Sequence, residues 1–253
     1  MRYDDYGFPP YVSVSEKKAK AQKAAAKLKK KNPGIKPVVI EGSKIAKSWW
    51  GIAWIKNLES YADYSNRIGR GRSYVRHGAV LDLQIEEGKV TALVQGSRSK
   101  PYTVDITIKP LAATEMKHIV SACEGKLSSL NELIEGKFPK DLGELFTIQK
   151  KGLFPTPRQI SFDCSCPDWA SMCKHVAAVL YGIGARLDED PSLFFILRKI
   201  KIEKMISKAV TQKSESLLTD TPIKSRRIMN KNDMADVFGL EIEENKNTKK
   251  IKP

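Results

Sequence analysis

The sequence predicts an α+β fold. Its order is a helix packed on a three-stranded antiparallel meander, a small helical region, then a cysteine–histidine segment leading from a strand into further helices. Three observations predict this. Residues 81–108 alternate apolar and polar side chains in three runs. Residues 50–61 repeat aromatic and apolar side chains at helical steps, and Cys164, Cys166, Cys173 and His175 fall within twelve residues.

The chain of 253 residues is long enough to bury a real core. It contains no apolar run of the eighteen or so residues that a membrane span needs and no signal-peptide pattern. A soluble, cytoplasmic protein is therefore expected. The net charge is +15, shared as +6 over residues 1–43, +5 over 44–200 and +4 over 201–253. A basic excess concentrated at the ends points to a polyanionic partner, nucleic acid foremost.

Met1–Pro10 is aromatic and proline-bearing and reads as a strap on the body. Residues 15–31 have high helix propensity but one large apolar residue, Leu28, so the helix has little to bury. It reads either as a solvated lysine–alanine segment or as a basic arm that neutralises phosphates. Asn32-Pro33-Gly34 ends it.

Trp50, Ala53, Trp54, Asn57, Leu58 and Tyr61 mark an amphipathic helix. Aromatics at this spacing serve a core, although adjacent tryptophans also stack on bases elsewhere. Arg67 to Gly78 interleaves Arg67, Arg70, Arg72 and Arg76 with glycines, Tyr74 and His77, and holds no acid. It reads as a loop. Its glycines would let the backbone approach phosphate and its arginine forks would match phosphate oxygens, the alternative being a solvated loop.

Leu81, Leu83 and Ile85, then Val90, Ala92 and Val94, then Tyr102, Val104, Ile106 and Ile108 form the three alternating runs. They predict a meander with one buried face, for which the tryptophan helix is the expected cover. Arg98 and Lys100 sit in its second turn. Residues 111–146 read as short helices (Leu111–Ala122, Leu127–Ile134 and Asp141–Phe146) punctuated by Gly125, Gly136 and Pro139, with Cys123 as a small core residue.

Ile160 and Phe162 alternate into Cys164, as a strand would. The spacing C-x-C-x6-C-x-H supplies three sulfurs and one imidazole, the donor set of a closed tetrahedral zinc site. Cys173 and His175 fall at the start of a helix carrying Val176, Val179, Leu180, Ile183 and Leu187, where a thiolate is favoured. Four protein ligands leave no position for an activated water, so one structural Zn²⁺ is expected, with Lys174 offsetting the negative cluster. Phosphate-loop, G-x-S-x-G, H-E-x-x-H and zinc-deaminase patterns are all missing from the sequence, and no enzymatic role is expected.

The stretch Phe162-Asp-Cys-Ser-Cys-Pro-Asp-Trp-Ala, with Met-Cys-Lys-His-Val-Ala-Ala-Val-Leu-Tyr-Gly after it, resembles the SWIM zinc finger, C-x-C-x(n)-C-x-H. The likeness extends to prokaryotic SWIM zinc-finger family proteins over most of residues 3–200. Trp49-Trp50-Gly…Ala-Trp54, Arg70-Gly-Arg-Ser-Tyr74, Val94-Gln-Gly-Ser97, Gly184-Ala-Arg-Leu-Asp188 and Phe238-Gly-Leu240 contribute to it. The resemblance implies zinc on Cys164, Cys166, Cys173 and His175, a strand–strand–helix finger, and DNA or protein binding. It also suggests a Swi/Snf-type helicase-like ATPase as partner.

The expected segments are a basic arm at 1–43, helix and sheet at 44–110, short helices at 111–150, finger and following helices at 151–205, and a flexible tail at 206–253 with a docking helix near 232–242. The expected function is that of a zinc-binding, non-catalytic nucleic-acid adaptor on DNA. Arg67, Arg70, Arg72, Arg76, Arg98, Lys100 and Lys174 are the candidate phosphate-binding residues.

Overall fold

The computed structural model describes residues 12–60, 65–123, 126–127, 129–168, 170, 172–203 and 207. The N-terminal strap, Trp169 and the helix expected near 232–242 lie outside them. The described residues belong to one compact unit, Met1–Lys213.

The meander forms as the alternation requires: β1 (Val80–Glu86), β2 (Lys89–Val94) and β3 (Tyr102–Ile108), with Val90, Ala92, Val94, Val104 and Ile106 turned inward. Gly88 takes the left-handed conformation (φ 69°) in the first turn. A fourth strand, β4 (Ile160–Cys164), pairs antiparallel with β3, giving the order β1-β2-β3-β4.

The free edge of β1 is covered by residues 36–38. Leu83 N–H donates to Lys36 O at 3.0 Å and Val38 N–H to Val80 O at 3.1 Å. Arg186 ties the same segment from the far side, donating to the carbonyls of Lys36 and Pro37. An edge that would otherwise expose unpaired backbone is thus closed by the chain itself.

Eight α-helices accompany the sheet among the described residues: α1 (Val14–Lys31), α2 (Trp49–Glu59), α3 (Ser65–Arg76), α4 (Ala113–Cys123), α5 (Leu130–Glu135), α6 (Lys140–Thr147), α7 (Lys174–Glu189) and α8 (Ser192–Leu197). The cover of the sheet differs from expectation. It is α7, which touches all four strands, while α2 and α3 pack on α7 from outside. The reason lies in composition: α7 is apolar nearly all round, with residues 175–185 and Leu187 buried, so it belongs between two layers.

Helix α2 crosses α7 at a glycine pair, since a Cβ on Gly51 would lie 2.6 Å from the Gly184 carbonyl oxygen. Asp188, one turn further along α7, accepts from Ser48 N–H at 2.9 Å and Ser48 O–H at 2.6 Å, fixing the start of α2. The tryptophans are core, as expected of their spacing. The Trp50 indole N–H donates to Leu133 O at 3.0 Å and that of Trp54 to Leu180 O at 2.8 Å. Trp49, Phe138, Phe146, Phe154 and Phe194 gather around Trp50 and anchor the short helices. Cys123 is fully buried.

Candidate metal centre

Strand β4 delivers the first sulfur. Cys164 stands opposite Val104 on β3, and the ladder continues one residue further, with Ser165 N–H donating to Thr103 O at 3.0 Å. Thr103 N–H returns the bond to the Ser165 hydroxyl at 2.9 Å. The residue between the two first cysteines is therefore held from both sides. Asp168 shapes the loop beyond, accepting from Ala170 N–H and pairing with Arg67 of α3.

Cys166 lies in the bend that follows β4, and helix α7 delivers the last two candidate ligands. Cys173 is its N-cap, and its sulfur accepts from Val176 N–H at 3.5 Å in place of the usual cap oxygen. His175 sits one residue inside the helix, 2 % exposed. Among the described residues, then, the site is strand–loop–helix, and its strand is part of the main sheet rather than of a separate two-stranded finger.

The four donor atoms lie within 4.8 Å of one another. His175 Nδ1 is 3.9 Å from Cys164 Sγ and 3.8 Å from Cys173 Sγ. Zinc bond lengths of about 2.3 Å to sulfur and 2.0–2.1 Å to nitrogen imply tetrahedral edges of roughly 3.5–3.8 Å. The cluster is close to that size, so these residues could hold a metal ion.

The donor chemistry points the same way. The neighbouring Cys164 thiol lowers the Cys173 pKa, with help from His175 and the Val176 N–H. The same contact pushes Cys164 upward. A lowered pKa at a helix N-terminus favours the thiolate, the form that binds metal.

The imidazole is held by shape. Its ring lies 4.5 Å from that of Tyr102 at a 32° tilt, and 5.5 Å from Tyr74, edge to face. Its Nε2 is buried without a hydrogen-bond partner, beside Gly96, where a Cβ would come within 3.0 Å of it. With Nδ1 facing the sulfurs, the ring proton belongs on Nε2 against these aromatic neighbours. Asp168, Tyr74, Tyr102 and Gly96 were not singled out as parts of the site by the sequence. The inward position of Tyr102 on β3 was its one legible signal.

The basic candidates fare unequally. Residues 65–76, expected as a loop, are helix α3, and its glycines serve packing. A Cβ on Gly71 would lie 2.4 Å from the Ala177 Cβ of α7, whereas one on Gly69 would meet nothing. Arg67 is committed to Asp168. Arg72 pairs with Glu59 and donates to the Tyr181 hydroxyl at 3.3 Å, which itself donates to Glu59 at 2.6 Å. Arg76 donates to Ser43 O at 2.9 Å. Arg70, Arg98 and Lys100 are exposed, and Lys174 is half-buried at the start of α7.

Helix α1 rests on this side of the body. Its Lys20 ammonium donates to Ser97 O in the β2–β3 turn at 2.7 Å. Burial lowers the pKa of His77, at the end of α3, and Lys17 and Lys18 lower it further by their charge. The expectation that α1 has little to bury is corrected in part: Ala21 is buried and Ala24, Ala25 and Leu28 are half-buried. Alanines suffice because they let the helix lie close.

The chain is similar to the uncharacterized protein Rv2102 of Mycobacterium tuberculosis, 37% identical over 183 residues, which is 72% of this chain. It spans 65% of that protein's length. No protein-family model matches the chain, and no solved structure does. Among the described residues no helix is long and apolar enough to cross a membrane.

Proposed function

We propose that this protein is a zinc-binding, non-catalytic nucleic-acid adaptor of the SWIM-finger kind. Cys164, Cys166, Cys173 and His175 hold one Zn²⁺. A closed set of three thiolates and one imidazole leaves no coordination site for substrate or activated water, which supports a structural ion. Bound there, zinc would fasten the end of β4 to the start of α7, the helix on which every other layer packs.

One observation carries the nucleic-acid part of the reading. Residues 17–40, 65–78 and 88–104 contain no Asp or Glu, and the fold brings these three segments together through Lys20, Ser97 and His77. Their lysines and arginines add into one positive field beside the metal centre. Arg70, Arg98, Lys100 and the α1 lysines other than Lys20, which holds the Ser97 carbonyl, are the phosphate-binding groups we assign. Arg67, Arg72 and Arg76 have internal partners and serve the fold.

The test is a binding titration with metal analysis. One zinc per chain, and an affinity for nucleic acid that falls steeply between about 50 and 200 mM salt, is the expected result. Failure to bind any nucleic acid at low salt overturns the reading. The second reading, docking on a Swi/Snf-type helicase-like ATPase, draws on an open groove of about 660 Å³ lined by Trp49, Ile52, Phe138 and Pro139. Association with that ATPase surviving nuclease treatment would favour it.

A further inference from the structure

The nucleic-acid reading leaves open which form of nucleic acid the basic face takes, and the side-chain arrangement of α1 bears on that. We propose that α1 is a groove-seated helix that binds B-form duplex DNA through the phosphates of both strands. This inference rests on the nucleic-acid reading and narrows it.

Helix α1 has 18 residues, so it is about 27 Å long. Ala21, Ala24, Ala25 and Leu28 face the body. At about 100° per residue, Ala19 and Ala26 fall close to the opposite, outermost line. Lys20, Lys27 and Lys31 then lie along one flank, Lys18 and Lys29 along the other, and Lys23 and Lys30 near the top. All seven lysines are exposed. Ala19 and Ala26 share the crest with Lys23 and Lys30, and cations line both flanks, so the outer half of the helix is positive from side to side, as suits a helix seated between two phosphate rows. A helix roughly 10–12 Å across matches the B-form major groove, about 12 Å wide.

The surroundings extend both banks. Lys20, by its bond to Ser97, turns its flank toward the turn that carries Arg98 and Lys100. The opposite flank faces the end of α3, near His77. The helix is also fixed before any ligand arrives. Ser13 caps it, and Glu16, the one acid on α1, is engaged in the capping box, accepting from Ser13 N–H at 2.7 Å. No ordering cost is then left for binding.

Two alternatives fit less well. Single-strand binders stack bases on exposed aromatics. On this face, among the described residues, Tyr102 is buried and Tyr74 lies half-buried against His175, while α1 itself has no aromatic residue. Duplex RNA has a major groove too deep and narrow for side chains to read, and so too for a helix to enter.

The experiment uses the full chain with zinc bound and compares duplex DNA, duplex RNA and single-stranded DNA of equal length by fluorescence anisotropy across salt. The first variant is K27Q/K30Q/K31Q, chosen because glutamine keeps the helix and Lys20, which ties α1 to Ser97, is left in place. The second is A19L/A26L, which thickens the crest without changing charge. Duplex DNA should bind roughly tenfold more tightly than the others. The glutamine variant should flatten the log–log salt slope by about 2.7, near 0.9 for each phosphate that is no longer neutralised. The leucine variant should weaken duplex binding about fivefold or more while leaving that slope in place. Zinc content and circular dichroism should not change in either. Equal or tighter binding to single strands or duplex RNA, or duplex binding indifferent to both variants, overturns the inference and leaves the nucleic-acid reading standing. Binding to none of the three overturns both.

Discussion

Two basic helices flank the metal centre, and they use their charge in opposite ways. On α3 three of the four arginines reach partners, Arg70 staying exposed: Arg67 reaches Asp168 in the loop after Cys166, Arg72 reaches Glu59 and Tyr181, and Arg76 reaches a backbone carbonyl. On α1 all eight lysines stay exposed, although Lys20 also reaches the Ser97 carbonyl, while alanines carry most of the face turned to the body. Glycine marks the first case, because Gly71 lets α3 lie against Ala177 of α7. A run of cations is a candidate surface only where the fold supplies no acid or carbonyl to absorb it. Charge alone does not separate the two cases; packing does.

The largest effect that would sharpen this contrast comes from the ligands. Cys173→Ser removes a candidate ligand while leaving a hydroxyl that can still cap α7. Structural zinc contributes about 10–16 kcal/mol at such sites, much of it folding energy. The variant should lose its zinc and its melting temperature should fall by roughly 10 °C or more. A metal-free variant that melts with the parent would separate the site from the fold.

The next largest effect compares two glycines of α3, two residues apart. Gly71→Ala forces a Cβ into Ala177 and should cost about 1–3 kcal/mol. Gly69→Ala meets open space and should stabilise by about 0.5–1 kcal/mol, since alanine is the better helix former. Chemical denaturation reads both. Equal effects would mean that α3 does not cross α7 at Gly71. Asp188→Ala, which removes the carboxylate that holds Ser48, the N-cap of α2, should cost about 1–3 kcal/mol in the same assay.

The smallest effect is at the latch between α3 and the ligand loop. Asp168→Asn breaks a partly exposed pair and should cost no more than about 1 kcal/mol, with zinc retained. Loss of zinc in this variant would make Arg67 and Asp168 necessary to the site.

Much of the fold was legible because it is local. The alternation of residues 81–108 became three strands, the tryptophan spacing became a buried helix face, and the four metal-ligand candidates converge in space. What was hidden depends on distant neighbours. Residues 67–78 read as a loop because their glycines cost helix propensity and their few apolar residues mark no clear helical face, and packing on α7 makes most of them a helix. The sheet was assigned the wrong cover because α2 precedes it in sequence, whereas α7 follows only after the short helices and β4. Strand β4 was foreseen as part of a separate module, and only its pairing with β3 shows that the metal centre grows from the edge of the main sheet. The aromatic clamp on His175 joins residues from α3 and β3 that no spacing connects.

The central claim is that Cys164, Cys166, Cys173 and His175 together hold one structural zinc ion. Native mass spectrometry of the intact chain, beside its Cys173→Ser and His175→Ala variants, tests it most directly. The account predicts one zinc per parent chain and none in either variant. A folded parent chain that carries no metal would contradict it.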